Sequence, residues 1–162
     1  MTSPPHKFYN GANFRVEQSI GYLIRQIINN VAVVTDQRMS EHGLTDAQWK
    51  PLIMIQQGVC TNAAEAARLM CCDTGAMTRM LDRVEAKGFV KRTRSQEDRR
   101  VVNLELTEEG ARATEVVPYV LSDILNNLLI GFNEKEVVQL KELLGRVLVN
   151  ARQLREREQA VE

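Results

Sequence analysis

Residues 60–110 combine two short amphipathic helical segments with a pair of strands, and this combination constrains the fold more than any other part of the chain. The stretch CTNAAEAARLMCCDTGAMTRMLDRVEAKG, residues 60–88, carries a tight break around Cys71–Asp73. After the break, apolar residues recur at spacings of three, four and seven, as on the buried side of a helix. They are Met77, Met80, Leu81 and Val84. Two helices joined by a turn within about 26 residues are typical of a helix-turn-helix unit.

The second helix of this unit has a polar outer face. Thr61 is the predicted N-cap of the first helix, and Asp73 or Thr74 is the predicted N-cap of the second, because short polar side chains accept from the free N–H groups of a first turn. The outer face consists of Thr74, Gly75, Thr78, Arg79, Asp82 and Arg83.

The stretch KRTRSQEDRRVVNLELTEEG, residues 91–110, predicts a hairpin. FVKRTR forms one strand and VVNLEL the other, with Val102, Leu104 and Leu106 directed inward by the two-residue period. Residues 95–100 form its cationic tip. Thr107 then caps a helix that we expect to continue through Leu128, with a bend at Pro118.

Long amphipathic helices are predicted on both sides of this region. Residues 16–39 predict one helix, and residues 45–57 a second that is capped by Thr45 with Gln48 and bent at Pro51. Asn133 and Glu136 form a capping box for the last helix. Its apolar residues are spaced 3-4-3-4-3, as in a coiled coil: Val137, Leu140, Leu144, Val147, Ala151 and Leu154. We expect a second chain to cover this stripe.

Charge is unevenly distributed along the chain. The 162 residues include 21 Lys or Arg and 21 Asp or Glu, so the formal net charge is zero. Residues 79–100, however, hold eight basic and four acidic side chains, whereas residues 101–162 hold seven basic and eleven acidic ones. Such an asymmetry is expected when one face of a protein meets a polyanion.

Several classes of protein are disfavoured by the sequence. No apolar run approaches about 18 residues and no signal peptide is recognisable, so we expect a soluble, cytoplasmic protein without a membrane partner. Cys60, Cys71 and Cys72 lack the spacing of a disulfide framework or a zinc site. His6 and His42 have no nucleophile or metal ligand at a recognisable spacing. We therefore expect no catalytic residues, no cofactor and no metal site.

The order of these elements resembles the MarR family of bacterial transcription regulators, over roughly residues 16–157. The most specific part is DTGAMTRMLDRVEAKGFVKRTRSQEDRRVVNLELTEEG, with its recognition helix, Lys-Gly turn, Asp-x-Arg element and L-T-x-x-G helix start in family order. The resemblance implies a mainly α fold with a small β-hairpin wing, which is a winged helix-turn-helix domain with N- and C-terminal dimerisation helices. It also implies a homodimer on double-stranded DNA, commonly a repressor that a small aromatic or phenolic acid releases.

This resemblance assigns a segment to each role. Residues 1–14 would form an N-terminal arm, residues 15–44 the first dimerisation helix, residues 45–110 the DNA-binding region and residues 111–162 the C-terminal dimerisation helices.

The resemblance also places the DNA contacts. The start of a recognition helix reaches base edges, so Thr74, Gly75, Thr78 and Arg79 are the candidates for reading sequence. The candidates for phosphate contacts are Arg83, Lys91, Arg92 and Arg94. In the wing, Arg100 matches the family arginine that enters the minor groove, beside Arg99, and Asp98 can accept hydrogen bonds that hold Arg100 extended.

Other features leave the mode of regulation open. The candidates for an effector site are Tyr22, Arg25, His42 and Trp49, which together could stack on an aromatic ring and pair with a carboxylate. The alternative is a redox-responsive regulator that uses Cys71 or Cys72 near the start of the recognition helix. A coiled-coil adaptor dimer that does not bind DNA is a further alternative, although such a protein has no need of a basic wing.

Overall fold

The computed structural model describes residues 7–94 and 102–160, and within them the chain is mainly helical with one antiparallel two-stranded hairpin. This confirms the predicted secondary-structure class. The elements in chain order are α1 (Ile20–Ser40), α2 (Asp46–Gln56), α3 (Ala63–Leu69), α4 (Thr74–Ala86), β1 (Val90–Arg94), β2 (Val102–Leu106), α5 (Glu108–Thr114), α6 (Val117–Leu128) and α7 (Glu134–Gln159).

The chain divides into two compact units, Met1–Leu121 and Ser122–Glu162. The first unit contains one hydrophobic core, to which α1, α2, α3, α4, both strands and the start of α6 all contribute. Its fully buried side chains include Met39, Leu44, Leu52, Met77, Leu81, Val84 and Val117. The predicted apolar side of the second helix in the helix-turn-helix unit is confirmed, with Met80 half-buried against the same core.

The cap of α3 differs from the prediction. Asn62, not Thr61, is the N-cap, since its Oδ1 accepts from the Glu65 N–H at 3.0 Å. Thr61 lies one residue earlier, where its carbonyl oxygen accepts from the Leu104 N–H at 2.7 Å. The prediction was wrong because this contact with β2 comes from a distant part of the chain and fixes which of two adjacent polar residues begins the helix.

The hairpin pairs Val90 with Leu106, Arg92 with Leu104 and Arg94 with Val102. Leu104 is buried and Leu106 is half-buried, as predicted. Val102, two residues before Leu104, lies on the same face of the strand but is 42% exposed, so it is not part of the core. It pairs with the exposed Arg94 in the last pair of the ladder, at the opposite end from Val90.

The predicted single helix after Thr107 is two helices, α5 and α6. Proline lacks an N–H, and its ring collides with the carbonyl group four residues before it. For Pro118 that carbonyl belongs to Thr114, and α5 ends there. Pro118 is then the second residue of α6, a position where the missing N–H removes no helical hydrogen bond.

Polar side chains define the ends of the long helices. Ser19 Oγ accepts from the Tyr22 N–H at 3.2 Å, so α1 begins at Ile20 and not at residue 16. The predicted capping box of α7 is confirmed: Asn133 Oδ1 accepts from the Glu136 N–H at 3.0 Å, and the Asn133 N–H donates to Glu136 Oε2 at 2.9 Å. In α2, the Thr45 N–H donates to Gln48 Oε1 at 3.1 Å.

The apolar stripes of α1 and α7 remain largely uncovered within a single chain. No described residue of α7 is buried. Large apolar side chains that are exposed on these two helices include Ile20, Leu23, Ile27, Leu144, Val147 and Leu154.

Candidate nucleic-acid interface

The start of α4 is fixed by its cap and by the turn before it. Asp73 Oδ1 accepts from the Ala76 N–H at 2.8 Å, which confirms one of the two predicted caps. The preceding turn is tight, because Cys71 has a φ of 51°, in the left-handed region that residues other than glycine seldom adopt. The turn therefore sets both the position and the direction of α4 relative to α3.

Burial of one side of α4 exposes the opposite side. Met77, Leu81 and Val84 are fully buried. The six residues predicted for the outer face are all exposed: Thr74, Gly75, Thr78, Arg79, Asp82 and Arg83. The helix thus presents hydroxyl, guanidinium and carboxylate groups along one surface.

Gly75 leaves room near the start of this surface. A Cβ atom at Gly75 would lie 3.1 Å from Asp73 Oδ1 and 3.5 Å from Arg79 Nη1. The Arg79 side chain therefore extends back toward the N-terminal end of α4. One turn further, the Thr78 hydroxyl donates to the Thr74 carbonyl oxygen at 2.8 Å.

The outward face of the hairpin carries a local charge pair. Lys91 Nζ lies 2.8 Å from Glu105 Oε2, and the Thr93 hydroxyl donates to Glu105 Oε1 at 2.8 Å. These two contacts, led by the hydrogen bond from Lys91, hold the pKa of Glu105 below its usual value. Lys91, a predicted phosphate contact, is therefore paired with a carboxylate across the strands.

The other face of the hairpin meets α4 through Arg92. Its Nη2 lies 2.7 Å from Asp82 Oδ1, and its Nη1 lies 2.9 Å from Glu85 Oε2. Sequence reasoning had singled out neither carboxylate as a partner of this arginine. The sequence did contain a signal for this contact. Asp82 and Glu85 are three residues apart on a helix, so their carboxylates lie on the same side of it and can share one cation.

Three other arginines predicted to contact DNA have no carboxylate partner within the described part of the chain. Arg79, Arg83 and Arg94 are exposed and form no ion pair with another described residue. The predicted wing-tip residues Asp98, Arg99 and Arg100 lie outside the described residues.

The hairpin is joined to the segments before α3 and before α5. The Thr107 N–H donates to the Phe89 carbonyl oxygen at 3.0 Å, and the Thr107 hydroxyl donates to the Gly88 carbonyl oxygen. Asn62 and Asn103 form an isolated antiparallel bridge. The hairpin is therefore fixed to the start of α5 at its base and to the segment before α3 further along β2, at Asn103.

The four candidate effector residues have different environments. Trp49 is 8% exposed and belongs to the core, yet its Nε1 atom is buried without a hydrogen-bond partner in the described structure. The Tyr22 hydroxyl accepts from Gln26 Nε2 at 2.8 Å. Arg25 and His42 are exposed. No hydrogen bond or ion pair joins any two of the four candidates, all of which are described.

The three cysteines also differ in environment. Cys60 is buried, and desolvation, followed by the nearby Glu65 carboxylate, raises the pKa of its thiol. Cys71 is exposed and Cys72 is half-buried. A raised pKa disfavours the reactive thiolate, which leaves Cys71 and Cys72 as the candidates for redox chemistry.

The described residues contain neither a membrane-spanning helix nor a metal-binding cluster. None of the described helices is long and apolar enough to span a bilayer. Nor do three or more His, Cys, Asp or Glu side chains come together there in a way that could bind a metal ion.

Comparison with known proteins identifies the family. The MarR family model matches residues 44–102. The multiple antibiotic resistance protein MarR of Escherichia coli (strain K12) is 32% identical over 130 residues, which cover 80% of this chain and 90% of that protein. The HTH-type transcriptional repressor MdtR of Bacillus subtilis (strain 168) is 31% identical over 111 residues, covering 68% and 72% of the two chains.

A solved structure extends the likeness to three dimensions. A mutant of the E. coli MarR protein, crystallised with operator DNA, is 32% identical to this chain and has a TM-score of 0.71. The match covers 80% of this chain and 93% of that one. The predicted winged helix-turn-helix fold is thereby confirmed, and the family consists of regulators, not enzymes. This chain belongs to the MarR family of DNA-binding transcriptional regulators.

Proposed function

We propose that this protein is a cytoplasmic homodimeric repressor that binds a pseudo-palindromic DNA operator and is released by a small aromatic acid. The observation that carries the DNA part is the exposed polar and cationic face of α4, which is held outward by the buried Met77, Leu81 and Val84. The relative MdtR, which is named a transcriptional repressor, supports repression.

The face of α4 suits the major groove. Thr74, Thr78 and Arg79 occupy the first half of the helix, the part that reaches base edges in helix-turn-helix proteins. Arginine can donate two hydrogen bonds to guanine. Threonine can form a hydrogen bond with a base edge through its hydroxyl group or contact a thymine methyl group through its own methyl group. At Gly75 the absence of a side chain lets the DNA backbone approach α4 closely.

Phosphate contacts fall to the cations without a carboxylate partner. Arg83 on α4 and Arg94 at the end of β1 are exposed and form no ion pair with any other described residue. Such groups position a protein on the duplex without specifying its sequence. In the wing tip, we propose that Arg100, supported by Asp98 and flanked by Arg99, enters the minor groove.

Dimerisation is supported by the uncovered stripes of α1 and α7. Isolated exposed apolar residues are normal on a protein surface, but a regular stripe along most of a 26-residue helix is not. Its 3-4-3-4-3 spacing is that of helices that pack along their length. A second copy of the chain would bury it and would provide the second recognition helix.

An aromatic acid is the proposed effector because of Trp49. Leaving a buried N–H without an acceptor costs about 1–3 kcal/mol, which a carboxylate oxygen would recover. Tyr22, Arg25 and His42 are the other candidates, with Arg25 as the counter-charge. Tyr22 and Arg25 lie near the start of α1 and His42 lies beyond its end, about 25 Å away along the helix, so a site that used all of them would need residues of both protomers. The chain contains a single tryptophan, so its intrinsic fluorescence reports on this position alone.

One experiment tests the proposal. The full-length protein selects duplexes from a random-sequence library, and the affinity for the selected duplex is measured by fluorescence anisotropy. We expect a specific duplex, weaker binding in the presence of salicylate or 4-hydroxybenzoate, and a change in Trp49 emission at the same ligand concentrations. Failure to enrich any sequence would contradict DNA binding.

The same assay distinguishes the redox alternative. Release by hydrogen peroxide and not by the aromatic acids, abolished by Cys71→Ser or Cys72→Ser, would assign regulation to a thiol.

A further inference from the structure

Arg92 pairs its guanidinium with two carboxylates at once. Its two terminal nitrogens contact two different carboxylates, Asp82 Oδ1 at 2.7 Å and Glu85 Oε2 at 2.9 Å. Its side chain is 30% exposed, whereas that of the neighbouring Lys91 is 56% exposed. Both carboxylates belong to α4, so this one side chain connects β1 to the proposed recognition helix.

The alternation of a β-strand explains why Arg92, and not a neighbour, makes this connection. Val90 is buried, and side chains two residues apart lie on the same face of a strand. Arg92 therefore points to the helical side of the hairpin, together with its buried cross-strand partner Leu104. Lys91 points to the opposite side, where it meets Glu105.

This pairing competes with a role in binding phosphate. If the Arg92 guanidinium turned toward DNA, Asp82 and Glu85 would lose their counter-charge on the face that approaches the phosphates. Two carboxylates there would repel the duplex. Arg83 and Arg94 can contact phosphates without any such loss, because they hold no described carboxylate.

We infer that Arg92 is a positioning residue that fixes the wing against the recognition helix through Asp82 and Glu85, and that it is not a phosphate ligand. The inference rests on the proposed DNA-binding role. It revises the assignment suggested by the sequence, in which Arg92 was grouped with the phosphate contacts. With the wing and α4 held in one mutual orientation, both can meet their grooves on the same duplex.

The test compares two duplexes: the one that the wild-type protein selects from a random library, and a scrambled version of it. The variants are Arg92→Gln, Asp82→Asn/Glu85→Gln and the triple combination, with Arg83→Gln as the phosphate-contact control. Affinities are measured by anisotropy at several salt concentrations, on variants whose thermal midpoint confirms folding.

A positioning role predicts a loss of discrimination. Arg92→Gln should weaken binding to the selected duplex about tenfold more than binding to the scrambled one, with an unchanged salt dependence. In the Asp82→Asn/Glu85→Gln background, the same change should have little further effect, because the interaction is already absent. Arg83→Gln should weaken both duplexes equally and make the salt dependence shallower.

Arg92→Lys provides a second variant that keeps the positive charge. A single ammonium group cannot reproduce a planar guanidinium that spans two carboxylates. We therefore expect Arg92→Lys also to reduce discrimination between the two duplexes. A lysine that preserved both affinity and discrimination would overturn the inference.

Two further results would overturn it. One is an equal loss on both duplexes with a salt slope lowered by about 0.9, the value for one phosphate contact. The other is unchanged discrimination in Arg92→Gln. If the wild-type protein selected no duplex, the proposed function would fail, and hydrogen exchange of the free protein would decide: faster exchange of the β1 and β2 amides in Arg92→Gln supports positioning, and unchanged exchange overturns it.

Discussion

The carbonyl oxygen of Phe89 occupies the space where a side chain at Gly110 would have to lie. A Cβ atom on Gly110 would come within 1.9 Å of that oxygen and 2.8 Å of the Phe89 carbonyl carbon. Both of these are backbone atoms, so the clash cannot be relieved by rotation of a side chain. The same Phe89 oxygen accepts the Thr107 N–H, which fixes the start of α5 against the beginning of the wing.

Gly110→Ala should consequently destabilise the protein, by about 2–4 kcal/mol, because the backbone must move to admit one methyl group. Gly21→Ala is a matched control, since it too lies in the first turn of a helix but a Cβ there meets nothing within 4 Å. Urea unfolding at one protein concentration measures both variants. A Gly110→Ala variant as stable as Gly21→Ala would contradict the close packing.

The free energy of unfolding at acidic pH should depend on Glu65. Hydrogen bonds from the Thr61 backbone N–H, and next from the Thr61 hydroxyl, lower the pKa of Glu65 from its usual value of 4.5. Because the pKa of Glu65 is lower in the folded state than in the unfolded state, the ionised carboxylate adds to the free energy of unfolding. This addition is complete above the unfolded-state pKa and is lost as the pH falls through the folded-state pKa.

Glu65→Gln should therefore flatten the loss of stability below about pH 4.5, with little effect on the slope near neutrality. Urea unfolding between about pH 3 and pH 7 tests this. Glu41→Gln serves as the control, because Glu41 makes no side-chain hydrogen bond or ion pair within the described structure, and it should retain the wild-type profile. If the free energy of unfolding of Glu65→Gln fell with decreasing pH as steeply as that of the wild-type protein, Glu65 would not be a source of the acid sensitivity.

Local signals in the sequence predicted much of the helical framework. Asp73 at the start of α4 and the Asn133–Glu136 capping box were recognisable because each satisfies N–H groups only a few residues away. The buried side of α4 followed from apolar spacing alone, since the period of the helix fixes which residues share a face.

Contacts between distant segments explain the failures. Thr61 and Asn62 are both good caps, and only the pairing of Thr61 with Leu104 on β2 decides between them. Lys91 and Arg92 are adjacent cations, and the sequence grouped them together. Their separation into an outward pair with Glu105 and an inward pair with α4 requires knowing which face of the hairpin packs on the helices.

Variants of Asp98 and Arg100 distinguish two explanations of how the wing tip contributes to DNA binding: a positioned arginine, or positive charge alone. If Arg100 enters the minor groove, Arg100→Ala should weaken operator binding strongly and reduce any preference for A·T-rich flanks, where that groove is narrow and strongly negative. Asp98→Ala should cause part of the same loss, because the proposed hydrogen bonds from Arg100 to Asp98 would no longer hold the arginine extended.

Charge alone predicts the opposite sign for Asp98→Ala, since losing an anion near phosphates should strengthen binding. Anisotropy at fixed salt on the selected duplex, with folding verified, compares the variants. Tighter binding by Asp98→Ala would mean that the wing tip acts only as a basic patch.

Dimerisation should depend on one side of α7. Leu144 is 47% exposed and Val149 is 50% exposed in the single chain, and the two lie about 140° apart around the helix. Leu144→Asp should produce monomers at micromolar concentration, because it would place an unpaired carboxylate in the proposed interface. Val149→Asp, the same kind of change outside the stripe, should leave the dimer intact.

Sedimentation velocity measures this difference directly. A folded wild-type monomer at micromolar concentration would contradict the proposed assembly, as would dissociation of both variants to the same extent.

Two copies of α4 in the dimer should read one duplex with two-fold symmetry. A dimer with this architecture should select two inverted half-sites whose centres are about 10 base pairs apart, on one side of the DNA. The decisive measurement is the affinity for the selected duplex before and after insertion of about five base pairs between the half-sites, which rotates one of them by half a turn. We predict that the insertion lowers the affinity to that of a scrambled duplex. Unchanged affinity after the insertion, or selected sequences without inverted symmetry, would contradict the account.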